Sequence, residues 1–233
     1  MTVRALAEQR WRDLRDALTT IPDWRTWRTC AFVYGLFLVC SAPIGLLSGL
    51  LRPSLPQFSP AGMIGAGLLI FVRPALVEEI VFRGLLLPRR HDSMGRGRLF
   101  LVAGVALVVF VVSHPLNALL FRPGALRVFE NPAYLVLTTL LGLACTATYL
   151  ISRSIWPPVA LHWLTVAVWI WLLGGQALLN QTARAFARPS IPSVRIQREC
   201  SRSDTTATTS ASRAINDVES HHTQIRTIAA HRT

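Results

Sequence analysis

The sequence predicts an all-α fold: a polytopic membrane helix bundle of about five transmembrane helices, with an N-terminal interfacial helix and a disordered C-terminal tail. Three observations predict it. Of 233 residues, 52% are hydrophobic and 15% charged, where ordinary soluble domains carry about 25% charged residues. Five apolar stretches, near 30–51, 61–87, 99–121, 132–151 and 156–179, each approach the ~20 residues that a helix needs to cross a bilayer. The arginines gather beside the ends of those stretches, as they do in loops that flank membrane spans.

Residues 1–29 read as a basic amphipathic lead-in. Over 3–20, Ala7, Trp11, Leu14 and Leu18 fall on one stripe, with Arg4, Arg12 and Arg15 elsewhere, and Pro22 ends the run. Such a segment lies in the membrane interface, with Trp11, Trp24 and Trp27 as anchors. It holds six arginines and no apolar core before Cys30, so it does not read as a cleavable signal peptide. The second apolar stretch is long, and Pro74 is expected to kink or break it. A separate helix would then start near Pro74.

Connections between the stretches are short, and the one at 88–98 carries Arg89, Arg90, Arg96 and Arg98. Six, four and one arginines fall on the side that holds the N-terminus, the 88–98 loop and the 152–155 loop. The other side has Arg52, Arg122, Arg127, Arg184 and Arg188 scattered near span ends. This balance places the N-terminus in the cytoplasm and the C-terminus outside. Residues 30–180 form the transmembrane domain, and 181–233 are read as a disordered polar tail. Beyond about 188 the chain is rich in Ser, Thr, Ala and Arg, with no aromatic residue after Phe186, and it cannot bury enough apolar surface to fold alone.

The net charge of +12 does not argue for nucleic acid. The basic residues flank apolar spans, and the chain has neither an RNA-binding aromatic signature nor a phosphate-cradling glycine loop. Cys30, Cys40, Cys145 and Cys200 form no CxxC pair, so no zinc knuckle or redox motif is offered. His221, His222 and His231 lie in the tail and are not expected to bind metal. No cofactor is expected.

The chemistry concentrates in Phe71-Val-Arg-Pro-Ala-Leu-Val-Glu-Glu-Ile-Val-Phe-Arg-Gly-Leu-Leu-Leu87. Each ionisable group at membrane depth costs roughly 2.5–3.5 kcal/mol on insertion scales, so two adjacent carboxylates there need a reason. On a helix, Glu79 and Arg83 are i,i+4 and share a face, where they can pair. Glu78 is turned about 100° away and is left available as a general base. Two histidines also lie inside apolar spans: His114, one turn after Phe110, and His162, in Trp156-Pro-Pro-Val-Ala-Leu-His-Trp-Leu-Thr165. With Arg73, these are nearly the only ionisable side chains of the apolar core, and polar groups in a small bundle converge away from lipid. A count of helical rise, measured from the arginine-rich end of each span, puts Glu78 about 14 Å, His162 about 9 Å and His114 about 23 Å deep. Convergence on that count requires the third span to start later, tilt, or bend near Pro115.

In order, Glu-Glu-x-x-x-Arg at 78–83, Phe-x-x-x-His at 110–114 and the histidine of Ser154-Ile-Trp-Pro-Pro-Val-Ala-Leu-His162 resemble the motifs of the CPBP, or Abi, family. These are membrane-embedded type II CAAX prenyl proteases and their bacterial relatives. The resemblance covers about residues 62–175. It implies that 30–180 is an intramembrane endopeptidase domain of a bacterial plasma membrane protein, with no required catalytic metal. Its partners would be the lipid bilayer and a peptide or protein substrate, CAAX-type or leader-peptide-like. Glu78 matches the glutamate that activates water, and His114 matches its partner in orienting water or moving a proton. Glu79 and Arg83 match the pair that braces the helix and helps hold substrate. His162 matches a residue that stabilises the tetrahedral oxyanion together with an asparagine four positions later. Here that position is Val166: either Thr165 or a backbone N–H substitutes, or the enzyme is slow, or its role is not proteolytic.

Other readings stand beside this one. Glu79–Arg83 serves equally as a structural buried pair, and a lone histidine in an apolar span is often a hydrogen-bonded core residue. A catalytically silent relative that binds or escorts a membrane partner fits Val166. A zinc-dependent hydrolase with Glu78, His114 and His162 as ligands is the third reading, although no HExxH helix supports it.

Overall fold

In the computed structural model, residues 3–55, 58–89 and 95–187 are described, and among them the regular structure is entirely helical. Helix α1 is Val3–Thr19 and α2 is Trp24–Leu47; α3 runs over Pro60–Leu85 and α4 over Arg96–Phe121. Two short turns, Pro123–Ala125 and Leu126–Phe129, lead to α5 (Pro132–Ser152), α6 (Trp156–Leu172) and α7 (Gly175–Ala187).

Helices α2, α3, α4 and α5 are each long and apolar enough to cross a membrane; the bent pair α6 and α7 counts as a further span if taken together. Large apolar side chains point outward along these helices: Phe32 is 75% exposed, Leu69 67% and Val108 62%. The ionisable side chains Glu79, Arg83 and His162 are instead within 1% of full burial. That inverted distribution suits a hydrocarbon surrounding, where apolar surface needs no cover and charge does.

The fifth apolar stretch does not run unbroken over 156–179. It stops at Leu172, and α7 leaves at 69° to α6. Gly174 turns the chain with φ +77°, a conformation that glycine adopts without a side-chain clash. A Cβ there would also meet the carbonyl of Arg52 at 3.0 Å. Residues 181–187, expected to belong to the polar tail, are helical as the end of α7. The remaining tail, with His221, His222 and His231, lies outside the described residues, as does Arg90.

The break expected at Pro74 is present. Arg73 leaves the helical track at φ −136°, ψ 115°, the extended region that a following proline favours. Two wide turns flank the glutamate pair. In the first, the Val77 N–H reaches the Val72 carbonyl, and in the second the Leu86 N–H reaches the Val81 carbonyl. Such i→i+5 windings are rare and occur often at functional sites. Pro115, by contrast, sits within a continuous α4.

α1 is docked on the bundle. Leu14 is 5% exposed and Ala17 0%, whereas Trp11 is 67% exposed and Ala7 also lies outward. The inward face therefore runs through Asp13, Leu14, Ala17 and Leu18, not along the stripe through Ala7 and Trp11. Hydrogen bonds fix it. The Ile155 N–H donates to the Ala17 carbonyl at 3.1 Å and Trp156 Nε1 donates to the Leu18 carbonyl at 2.9 Å. Arg89 clasps the same end, donating to Thr20 Oγ1 at 2.8 Å and to the Arg153 carbonyl at 3.0 Å.

Helix α5 packs against α2, α4 and α6, with Phe37, Leu141, Ala144, Cys145 and Leu161 in one buried cluster. Gly142 lets α4 approach: a Cβ there would lie 2.5 Å from Leu107 Cδ1 and 3.0 Å from Phe110 Cδ1. Gly142→Val is expected to lower stability by about 1–3 kcal/mol, as overpacking does, and to displace Phe110. Thermal melting in detergent checks this; an unchanged midpoint would mean that α4 and α5 do not meet so closely.

Candidate active site

Glu78, Glu79, Arg83, Phe110, His114 and His162 converge from three helices. On α3, the turn Val77–Glu79 between the two wide windings presents adjacent carboxylates to different neighbours. Glu79 faces the interior at 0% exposure. Its Oε1 accepts from Arg83 Nη1 at 3.0 Å and from His162 Nδ1 at 2.8 Å. Arg83 crosses to α5, where Nη2 donates to the Gly142 carbonyl at 2.9 Å. This one guanidinium thus joins α3 to α5, and Glu79 joins α3 to α6.

Glu78 is turned the other way. Its Oε2 lies 3.9 Å from His114 Nε2 and has no hydrogen-bond partner among the described residues, although it is buried. His114 Nδ1 is 2.9 Å from the Phe110 carbonyl. A carbonyl only accepts, so Nδ1 carries a proton, and in the neutral ring Nε2 then offers a lone pair towards Glu78.

Phe110, 0% exposed, separates the two halves of this group. Its ring is edge-on to His114 at 4.9 Å, to His162 at 6.0 Å and to Phe82 at 5.1 Å. The Arg83 guanidinium lies over its face, 4.5 Å from the centroid, a cation–π contact that is stronger for being dry. Phe110 therefore helps hold the Arg83 charge and sets the His114 ring.

The depth count overstated the distance to His114. Val102, Ala103 and Ala106 pack in the same cluster as Leu87, Tyr149 and Ile155, so the first turn of α4 extends past the end of the others. Measured from Val102, His114 is about 18 Å in, and measured from Leu87, Glu78 is about 14 Å in. No bend at Pro115 is needed.

Thr165 is not brought into this group. Its hydroxyl donates to the Leu161 carbonyl at 2.8 Å and lies 3.5 Å from Tyr34 Oη on α2. Val166, one turn after His162, brings no donor. Sequence reasoning missed three contributors. Gly142 offers only a main-chain oxygen, which leaves no side-chain signal. Cys145 is fully buried beside Glu79 and donates to the Pro158 carbonyl at 3.7 Å. Tyr134 packs 6.1 Å from His114 and 6.0 Å from Trp169; its phenol in an apolar span was the available clue. Among the described residues, no three of His, Cys, Asp and Glu stand close enough together to hold a metal ion.

Residues 60–168 match the family model described as type II CAAX prenyl endopeptidase Rce1-like. The matched stretch contains Glu78, Glu79, Arg83, His114 and His162. No curated protein and no solved structure shows significant similarity to the chain.

Removing Arg83 strands Glu79 in a dry interior. Arg83→Ala is expected to lose roughly 3–5 kcal/mol, the usual penalty for breaking a buried pair. Arg83→Lys should fall between, because an ammonium lacks the fork that reaches Glu79 and Gly142 together. Thermal midpoints of the purified variants check this. Midpoints equal to wild type would show that the linkage is not formed.

Proposed function

We propose that this chain, whose residues 60–168 match the Rce1-like family model of type II CAAX prenyl endopeptidases, cleaves a peptide bond with water activated by Glu78 and His114. The observation that carries this reading is the pair of acceptors facing each other at 3.9 Å. Glu78 Oε2 and His114 Nε2 are too far apart for a direct hydrogen bond, and neither has a proton for the other when the carboxylate is ionised and the ring neutral. One water molecule satisfies both by giving a hydrogen bond to each. Its oxygen lone pair then remains free for a carbonyl carbon.

In the reaction, the water oxygen bonds to the scissile carbonyl carbon while its proton moves to Glu78. The carbonyl electron pair shifts to oxygen. As the tetrahedral intermediate collapses, the C–N bond breaks and the proton passes to the leaving amine, directly or through His114. Positioned acid–base groups of this kind contribute about 10²–10⁴-fold. Glu79 and Arg83 do not take part; they hold α3 and His162 in place. His162 Nε2, the nitrogen not bound to Glu79, is assigned to the oxyanion, which it can stabilise when the ring carries both protons. The substrate would be a C-terminal, CAAX-type segment that reaches the site from the membrane. The N-terminus is placed in the cytoplasm on the arginine balance.

Val166 favours one other reading, a silent relative that binds a membrane partner without cleaving it. Glu78→Gln separates the two, because it keeps shape and removes the base. Turnover of a CAAX-type peptide in detergent is expected to vanish in this variant, with folding intact, and to be insensitive to a strong chelator in wild type. Wild-type turnover by Glu78→Gln would end the glutamate reading. Loss with chelator, restored by Zn²⁺ alone, would replace it with a metal mechanism.

Thr165 is engaged elsewhere and Val166 is apolar, so the proposed oxyanion site lacks a side-chain donor one turn after His162. Val166→Asn aligns an amide with His162 at i,i+4. A well-aimed donor is worth ~2.7–4 kcal/mol; an unaimed one that must be buried should give less. The expected result is a modest rise in kcat with KM little changed, the mark of a contact made in the transition state. An unchanged or lower kcat in a folded variant would mean that another donor already serves.

A further inference from the structure

The end of the bundle that carries α1 holds more positive charge than its internal contacts use. Ala17 and Leu18 pack with Leu87, Tyr149 and Ile155, which lie just past α3, late in α5 and in the connection between α5 and α6. A Cβ on Gly84 would lie 2.5 Å from Leu14 Cδ1, so α1 also bears on the turn that carries Arg83. Those contacts settle the inward face of the helix. The outward face is basic. Arg12 and Arg15 on α1, and Arg25 and Arg28 in the first turns of α2, are exposed. Only residues 20–23 separate the two helices, which keeps the four arginines at one end.

The acids nearby are already engaged. Glu8 pairs with Arg4 at 3.1 Å, and Asp16 faces Arg89 at 3.8 Å. Asp23 Oδ1 accepts the Thr26 N–H at 2.9 Å to cap α2, and Asp13 is buried. Among the described residues, no ion pair or hydrogen bond engages the side chains of Arg12, Arg15, Arg25 or Arg28. Orientation in a membrane needs only a surplus of arginine on one side. It does not require large apolar side chains set among them. Here Trp11 is 67% exposed, Ile21 82% and Trp24 74%, and they alternate with the arginines along residues 11–28. Tryptophan settles at the level of lipid headgroups. A guanidinium beside it can grip two phosphate oxygens at once.

We propose that the outer face of α1 and the first turns of α2 form a seat for anionic phospholipid headgroups. Arg12, Arg15, Arg25 and Arg28 take the phosphates, and Trp11, Ile21 and Trp24 rest at the boundary with the acyl chains. The seat does not depend on the peptidase reading. On the orientation proposed above it meets the cytoplasmic leaflet, whose surface is negative. Lipid held there adds to the contacts that keep α1 docked against α3 and the start of α6.

The test titrates the full chain, purified in an uncharged detergent, with phosphatidylglycerol or with phosphatidylcholine of the same acyl chains. Bound lipid is counted by native mass spectrometry, and the thermal midpoint is followed in parallel. Phosphatidylglycerol is expected to bind about tenfold or more tightly than phosphatidylcholine, since each arginine near the surface adds to the attraction. It should also raise the midpoint, as a ligand of the folded state does. Arg12→Gln with Arg15→Gln, and Arg25→Gln with Arg28→Gln, should each lose part of the preference. All four changes together should bring the ratio to near one. Arg122→Gln with Arg127→Gln removes two charges past the far end of α4 and should leave the preference intact. A wild-type ratio near one overturns the proposal. So does an equal loss in the Arg122 and Arg127 variant, which would make the preference a matter of net charge alone. Displacement of phosphatidylglycerol by inorganic phosphate at matched concentration would assign the arginines to a soluble anion and overturn the lipid seat. If the fourfold variant does not fold, the wild-type ratio and the two double variants still decide.

Discussion

Arg83 lies out of reach of water, and every donor it turns inward must find an acceptor there or leave charge uncompensated. It finds one on its own helix in Glu79 and another on α5 in the Gly142 carbonyl. Glu79 in turn takes the Nδ1 of His162 from α6. Three helices are therefore tied through two charged side chains and a histidine. In lipid no hydrophobic force pushes helices together, so polar ties of this kind fix spacing that a water-soluble bundle obtains from burial. Phe110 brings α4 to the same point by lying under the guanidinium. The arrangement around Glu78 depends on this frame, since His114 is set by Phe110 and Phe110 by Arg83.

The two glutamates show how little sequence distance is needed to separate two environments. Adjacent on one turn, they differ in what they face among the described residues: Glu79 has a cation and an imidazole, while Glu78 Oε2 has a histidine beyond bonding distance. Wide windings on either side give that turn a register of its own. A carboxylate with its charge balanced is inert, and one left facing an acceptor can take a proton.

Much of this was legible in the sequence. Apolar stretches of spanning length gave α2 to α5, and Pro74 marked the break in α3, because composition and proline geometry act locally. The i,i+4 pairing of Glu79 with Arg83 followed from helix periodicity alone. Less legible were features set by contacts between distant segments. Arg89 looked like one more loop arginine marking orientation, yet it clasps α1 to the connection between α5 and α6. The stripe through Ala7 and Trp11 described a helix facing lipid, whereas docking selected Leu14 and Ala17. Thr165 seemed free to donate, but a hydroxyl in an apolar helix bonds to the carbonyl one turn back. The α6–α7 corner was hidden because hydropathy does not register the turn made by one glycine.

The acceptor that Arg83 finds on α5 belongs to the main chain. No substitution at position 142 can delete that oxygen; only a shift of the helix can move it away. The side-chain half of the linkage is exposed to mutation and the backbone half is not. The bond from Arg83 to Gly142 thus works as a gauge of the gap between α3 and α5. Sequence drift along α5 is tolerated while that gap holds, and any change that pries the helices apart, however remote, is felt at Glu79 and His162.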